Sequence, residues 1–163
     1  MGAMIVVAVS GWSGAGKTRL MTALIREFRA RGRRVLAAKH AAHEVTLQPE
    51  AKDSRAYLDA GAETAAVLCG TELLQVSRRP DFAEAARSLR EQWRDYDVVL
   101  LEGRAFRDIP FVEVLSSDNP EIRAPGEQLV AAVSDEEDEY PGTHFRWDDI
   151  ERLTDFLEEH HGL

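Results

Sequence analysis

Cysteine is almost missing from this 163-residue chain, where Cys69 stands alone. One thiol can form neither an internal disulfide nor a Cys-based metal cage, so a reducing compartment is expected. Long apolar runs are absent too. None approaches the roughly 20 residues of a membrane helix, and Met1 to Val9 lack the basic-then-apolar order of a cleavable signal. A cytoplasmic protein with no membrane contact is the expectation. Positive charge is in deficit: 20 Lys and Arg against 29 Asp and Glu give a net charge of −9. That sign opposes bulk nucleic-acid binding, and no nucleic-acid partner is expected. Repeats and dividing linkers are lacking as well, so residues 1–163 read as one domain.

What is present is an alternation of strand and helix patterns. Ile5 to Val9 form a continuous apolar, β-branched run, as expected of a strand buried on both faces. A Gly-rich turn follows, and then a helical stripe of Leu20, Met21, Leu24, Ile25 and Phe28 that ends near Gly32. Arg34 to Lys39 reads as a second strand, which completes a βαβ unit. A short helix is predicted over Ser54–Ala60. Ala65–Cys69 and Leu73–Val76 suggest a hairpin across Gly70-Thr71. A helix opening at Pro80-Asp81 is expected to bury Phe82, Ala85, Ala86, Leu89 and Trp93 on one face. Val98–Leu101, Phe111–Leu115 and Leu129–Val133 read as strands, and a last helix starts near Trp147.

Gly11-Trp12-Ser13-Gly14-Ala15-Gly16-Lys17-Thr18 satisfies G-x-x-x-x-G-K-[ST], and it lies between a buried strand and an amphipathic helix. Glycines let successive N–H groups curl around a phosphate chain, and the helix N-terminus adds its positive dipole end. Lys17 can reach the β- and γ-phosphates, and the Thr18 hydroxyl can ligate Mg²⁺. The fold class is therefore α/β, a three-layer P-loop NTPase-like fold with a mostly parallel sheet and an antiparallel hairpin.

Such a loop needs an acid on a neighbouring strand to help hold Mg²⁺. Asp97 precedes the run Val98–Leu101, whereas Glu102 ends it on the edge where the loop lies, so Glu102 is assigned to the metal side. Asp53 suits either a nucleophile-orienting acid or an ordinary helix N-cap. His40 and His43 are two imidazoles without the further ligands a metal site needs, and on spacing alone they read as polar loop residues. Arg104 and Arg107 follow Glu102-Gly103, where they can contact an anion or pair with carboxylates. Asp135 heads an acidic run at a strand end, where many P-loop GTPases place a guanine-reading Asp. The N-K-x-D pattern is missing, so guanine and adenine both stay open.

Several segments together resemble the MobB family of molybdopterin-guanine dinucleotide biosynthesis adaptors. They are the loop Gly11–Thr18, Ala38-Lys39-His40-Ala41-Ala42-His43, Ala51-Lys52-Asp53-Ser54-Arg55, Asp59-Ala60-Gly61-Ala62 and Leu101-Glu102-Gly103. Ala42 stands where the family often has another histidine, and Arg104-Ala105 where it tends to have Phe-Lys. The resemblance implies a homodimeric GTP-binding adaptor that uses Mg²⁺ and has weak GTPase activity. It also implies the guanylyltransferase MobA and the molybdenum-insertion enzyme MoeA as partners. On this reading Lys39, His40, His43 and Arg104 become ligand or partner contacts, and Asp53 joins Lys17 as a catalytic candidate. With no arginine finger or Ras-type glutamine in view, slow hydrolysis is expected. A small-molecule kinase would need an Arg-rich lid, for which Arg104 to Asp108 is short. A metal-delivery GTPase would need more Cys or His than the chain has.

Overall fold

The structure is a computed structural model that describes residues 4–41, 52–118, 120–123, 126–135 and 142–160. Among the described residues, eight strands and four α-helices follow in the order β1 (Ile5–Gly11), α1 (Lys17–Ala30), β2 (Val35–Lys39), α2 (Lys52–Asp59), β3 (Thr64–Cys69), β4 (Glu72–Ser77), α3 (Phe82–Gln92), β5 (Val98–Glu102), β6 (Phe111–Val114), β7 (Leu129–Val133), β8 (Thr143–Phe145) and α4 (Ile150–His160). The chain divides into two compact units. The first joins the residues up to His40 with those from Trp93 onward, and the second is Ala41–Gln92.

The first unit is built on a six-stranded sheet in the order β2-β5-β1-β6-β7-β8, with every neighbouring pair parallel. Parallel sheets bury both faces, which is why β1 is apolar almost throughout and buried along its whole length. One face (Ile5, Val7, Val9, Val98, Leu100, Val112, Val114 and Val133) packs against Leu20, Met21, Leu24 and Phe28 of α1 and Leu153 and Leu157 of α4. Val6, Ala8, Val99, Leu101 and Phe111 alternate onto the other face and are buried as well. The expected α/β class, parallel sheet and antiparallel hairpin are all present.

Charge fixes how α1 meets α4. Arg31, the residue that caps α1, pairs with Glu27 of that helix and reaches Asp155 and Glu158 on α4, and Arg33 also grips Glu158. Burial favours the neutral Glu158 acid, but the hydrogen bonds from Arg33 and Arg31 outweigh it and hold the carboxyl below the usual carboxylate range. One residue beyond Arg33, Arg34 donates to Asp97 from its backbone N–H at 2.8 Å and from its guanidinium. Asp97 thus ties the starts of β2 and β5 together, far along the strand from Glu102.

Two elements depart from their sequence patterns. The helix at Pro80-Asp81 starts as expected, with Asp81 Oδ1 accepting the Glu84 N–H at 2.9 Å. None of α3 is buried, however. Phe82 is 51% exposed, whereas Trp93 leaves the helix for a 3₁₀ turn (Trp93–Asp95) and is buried in the first unit. The last helix begins at Ile150 rather than at Trp147, because Asp149 turns back to accept the Arg146 N–H at 3.2 Å. β8 has no counterpart in the sequence reading: three residues are too short for a periodic signal.

The second unit consists of α2, the β3–β4 hairpin and α3. Cys69 pairs with Glu72 across the tight turn. Arg78 ties the hairpin base to α2 through the Leu58 carbonyl and the Asp59 carboxylate.

Candidate functional site

The connections leaving β1 and β5 run to opposite sides of the sheet, and such a switch point opens a crevice at the carboxyl edge of the strands. The loop Gly11–Thr18 lies there. Gly11 has φ +142, and a Cβ at that position would stand 2.5 Å from the Val114 carbonyl oxygen of β6. Gly16, at φ +104, precedes α1, and a Cβ there would press the Trp147 ring at 2.9 Å. Both positions therefore demand glycine on conformation and on space. No side chain caps α1 and no acid occupies its first turn, so the dipole end and its N–H groups face the loop.

Lys17 folds back over the loop, its ammonium donating to the Gly11 carbonyl at 3.1 Å and the Trp12 carbonyl at 2.7 Å. Thr18 and Glu102, 84 residues apart in the chain, meet: the hydroxyl donates to Glu102 Oε2 at 3.1 Å. The other Glu102 oxygen holds the Lys39 ammonium at 2.9 Å. Parallel pairing brings this about, because Lys39 and Glu102 are register partners at the ends of β2 and β5. Hydroxyl and carboxylate together form a hard-oxygen pair of the kind Mg²⁺ takes beside phosphate oxygens. His40 continues the same edge, its N–H donating to the Glu102 carbonyl at 3.2 Å.

A cavity of about 400 Å³ opens beside the second half of the loop. It is lined by Gly14, Gly16, Arg19, Ser116, Asp135 and Trp147, among others. The Arg19 guanidinium lies 4.1 Å over the Trp147 ring, and Asp135 Oδ1 accepts the Trp147 N–H at 3.3 Å. Asp135, at the end of β7, therefore shares one hollow with the loop that the sequence put 120 residues before it.

Arg104, Asp53 and His43 are the remaining candidates. The Arg104 guanidinium stacks on Phe111 at 3.9 Å. Asp53 is exposed in the first turn of α2 and belongs to the second unit. His43 lies outside the described residues. Among the described residues, no group of three or more His, Cys, Asp or Glu is arranged as a metal site, and no helix is long and apolar enough to cross a membrane. Sequence reasoning missed Trp147 and Arg19, which read as the start of the last helix and a solvent-facing residue of the first. It also missed the fully buried Glu113, although a lone acid inside Phe111-Val112-Glu113-Val114 was a legible signal.

Fold, glycine-shaped loop and the Thr18–Glu102 pair define a P-loop NTPase-like protein. The family model of molybdopterin guanine dinucleotide synthesis protein B, MobB, matches residues 6–135. The chain belongs to the MobB family, whose role is in molybdenum cofactor biosynthesis. It is similar to the molybdopterin-guanine dinucleotide biosynthesis adapter protein of Escherichia coli K12, with 28% identity covering 94% of this chain and 91% of that protein. The adapter protein of the same name from Haemophilus influenzae is 29% identical, covering 96% and 90%. A solved molybdopterin-guanine biosynthesis protein B superposes with a TM-score of 0.70 at 26% identity, covering 95% of this chain and 97% of that one.

Proposed function

We propose that the chain is a GTP-binding adaptor with weak, Mg²⁺-dependent GTPase activity in molybdopterin guanine dinucleotide synthesis. The observation that carries the nucleotide site is the convergence of Lys17, Thr18 and Glu102 on one glycine-shaped loop. Lys17 exchanges its two carbonyl partners for the β- and γ-phosphate oxygens, and the loop amides of Trp12 to Thr18 with the α1 N-terminus carry the remaining phosphate charge. Thr18 and Glu102 would hold Mg²⁺, which would offset the negative charge of the phosphates. Water attacks the γ-phosphorus, the bond to the β–γ bridging oxygen breaks, and GDP and orthophosphate result. Asp53 is assigned the water-orienting role, a part implied by family likeness.

The cavity beside Gly14–Gly16 takes the nucleoside in this reading. The Trp147 ring offers a stacking surface, and the Asp135 oxygen that does not serve Trp147 accepts from the guanine N1 and N2 groups. Lys39, His40, His43 and Arg104 are kept for ligand or partner contacts. The guanylyltransferase MobA and the molybdenum-insertion enzyme MoeA are the proposed partners, in the cytoplasm, with the chain as a homodimer. The kinase alternative needs an Arg-rich lid, and Arg104 to Asp108 is short and carries only two arginines.

Calorimetric titration with non-hydrolysable GTP and ATP analogues in Mg²⁺ is the test. Clear preference for the guanine nucleotide is expected. Preference for ATP would overturn the adaptor reading and revive a kinase.

A further inference from the structure

Glu113 is a carboxylate with no exposure at all, in the middle of β6 and beside β1. Burying a charge is costly, and the cost is tolerated where hydrogen bonds offset it. Here Glu113 Oε1 accepts the Arg123 backbone N–H at 3.0 Å, and Oε2 has no partner among the described residues. A buried acid serving one N–H of a surface loop is a poor stabiliser but a firm anchor.

What the anchor places is the Arg123 side chain. Its guanidinium lies 5.4 Å over the ring of Trp12, the second residue of the phosphate loop. Lys17 marks which end of the loop this is. Its ammonium sits on the Gly11 and Trp12 carbonyls, whereas the Asp135–Trp147 cavity opens at Gly14 to Gly16. Trp12 is therefore at the terminal-phosphate end, away from the nucleoside. A guanidinium stacked on an indole keeps its N–H edge available for anion contact.

We propose that Arg123 is a cation supplied in cis to the terminal phosphate, held in place by Glu113 and Trp12, and that it makes the site prefer a nucleoside triphosphate to the diphosphate. This rests on the phosphate-loop reading and adds to it a residue that senses the third phosphate. Arg123 touches the ligand, whereas Glu113 acts through it as a positioning residue.

The experiment measures dissociation constants for a non-hydrolysable GTP analogue and for GDP, each with Mg²⁺, on the full chain and its variants. Arg123→Ala is an exposed-loop change. It is expected to weaken the triphosphate about 10- to 100-fold, the range of a hydrogen bond between charged groups, and to leave GDP within about threefold. Glu113→Gln retains an oxygen acceptor for the Arg123 N–H and is expected to keep the parent's triphosphate-to-diphosphate ratio. Glu113→Leu, checked for folding by circular dichroism, is expected to collapse that ratio as Arg123→Ala does, with no further loss in the double variant. Equal losses for both nucleotides, or none, on Arg123→Ala would overturn the proposal and leave the phosphate loop standing. A parent chain that binds neither nucleotide would overturn the loop reading itself, and this proposal with it.

Discussion

Glu102 touches two groups of opposite function, a hydroxyl that it accepts from and an ammonium that it neutralises. Thr18 and Lys39 approach different oxygens of the one carboxylate, so an incoming divalent cation competes with Lys39 for the same charge. Replacing Glu102 by Gln therefore has a signed consequence. The Mg²⁺-dependent part of nucleotide affinity should fall more than the Mg²⁺-free part; equal falls would take Glu102 out of the metal's surroundings. Lys17→Ala should abolish triphosphate binding and leave the far-ultraviolet spectrum unchanged, since Lys17 contacts loop carbonyls and not the core. These residues were legible in the sequence because their spacing is local or motif-bound. Glu102 required only the rule that phosphate loops face the carboxyl ends of strands. Trp147, Arg19 and Arg123 were not legible, because long-range packing alone brings them to the loop.

At the scale of elements, α1 both carries the loop and anchors the molecule. Its stripe of Leu20, Leu24 and Phe28 was readable from period alone, and all three side chains have no exposure. Its ionic clasp to α4 has a pH signature. The Glu158 carboxyl is held below its ordinary value, so its contribution is full above the unfolded carboxylate range and is lost as pH falls through the folded value. Thermal melts of the parent and Glu158→Gln should therefore differ at pH 7 and converge toward pH 3; a gap independent of pH would assign the effect to packing. α3 shows the limit of periodicity. Its stripe has the right spacing and a sound Asp81 cap, yet Phe82 stays half-exposed, because a pattern says which face is apolar and not what covers it. Length was the obstacle for β8, as three residues carry no period.

At the scale of the whole molecule, the parallel sheet carries much of the buried apolar core among the described residues, and the β3–β4 hairpin leaves leucines exposed. Leu68 and Leu73 are register partners on one face of it, 83% and 61% exposed. A cross-strand leucine pair facing water leaves apolar surface that association with a second chain would bury. It supports the homodimer proposed above, with a second copy of the chain as the occupant. Light scattering should give a dimer for the parent and a monomer for the Leu68→Asp, Leu73→Asp double variant, with nucleotide-free fold retained. A monomeric parent would remove the homodimer from the proposal.

Two of the chain's three tryptophans border the phosphate loop. Trp12 belongs to it, and Trp147 presses so closely on Gly16 that even a methyl group there would collide. The third, Trp93, is buried away in a T-shaped contact with Phe106. Indole emission is sensitive to nearby charge and solvent, so arrival of a polyanion at the loop should alter the intrinsic fluorescence without any label. Trp12→Phe and Trp147→Phe would then divide the optical response between the phosphate end and the nucleoside end, giving the protein a built-in, two-channel reporter of its own occupancy.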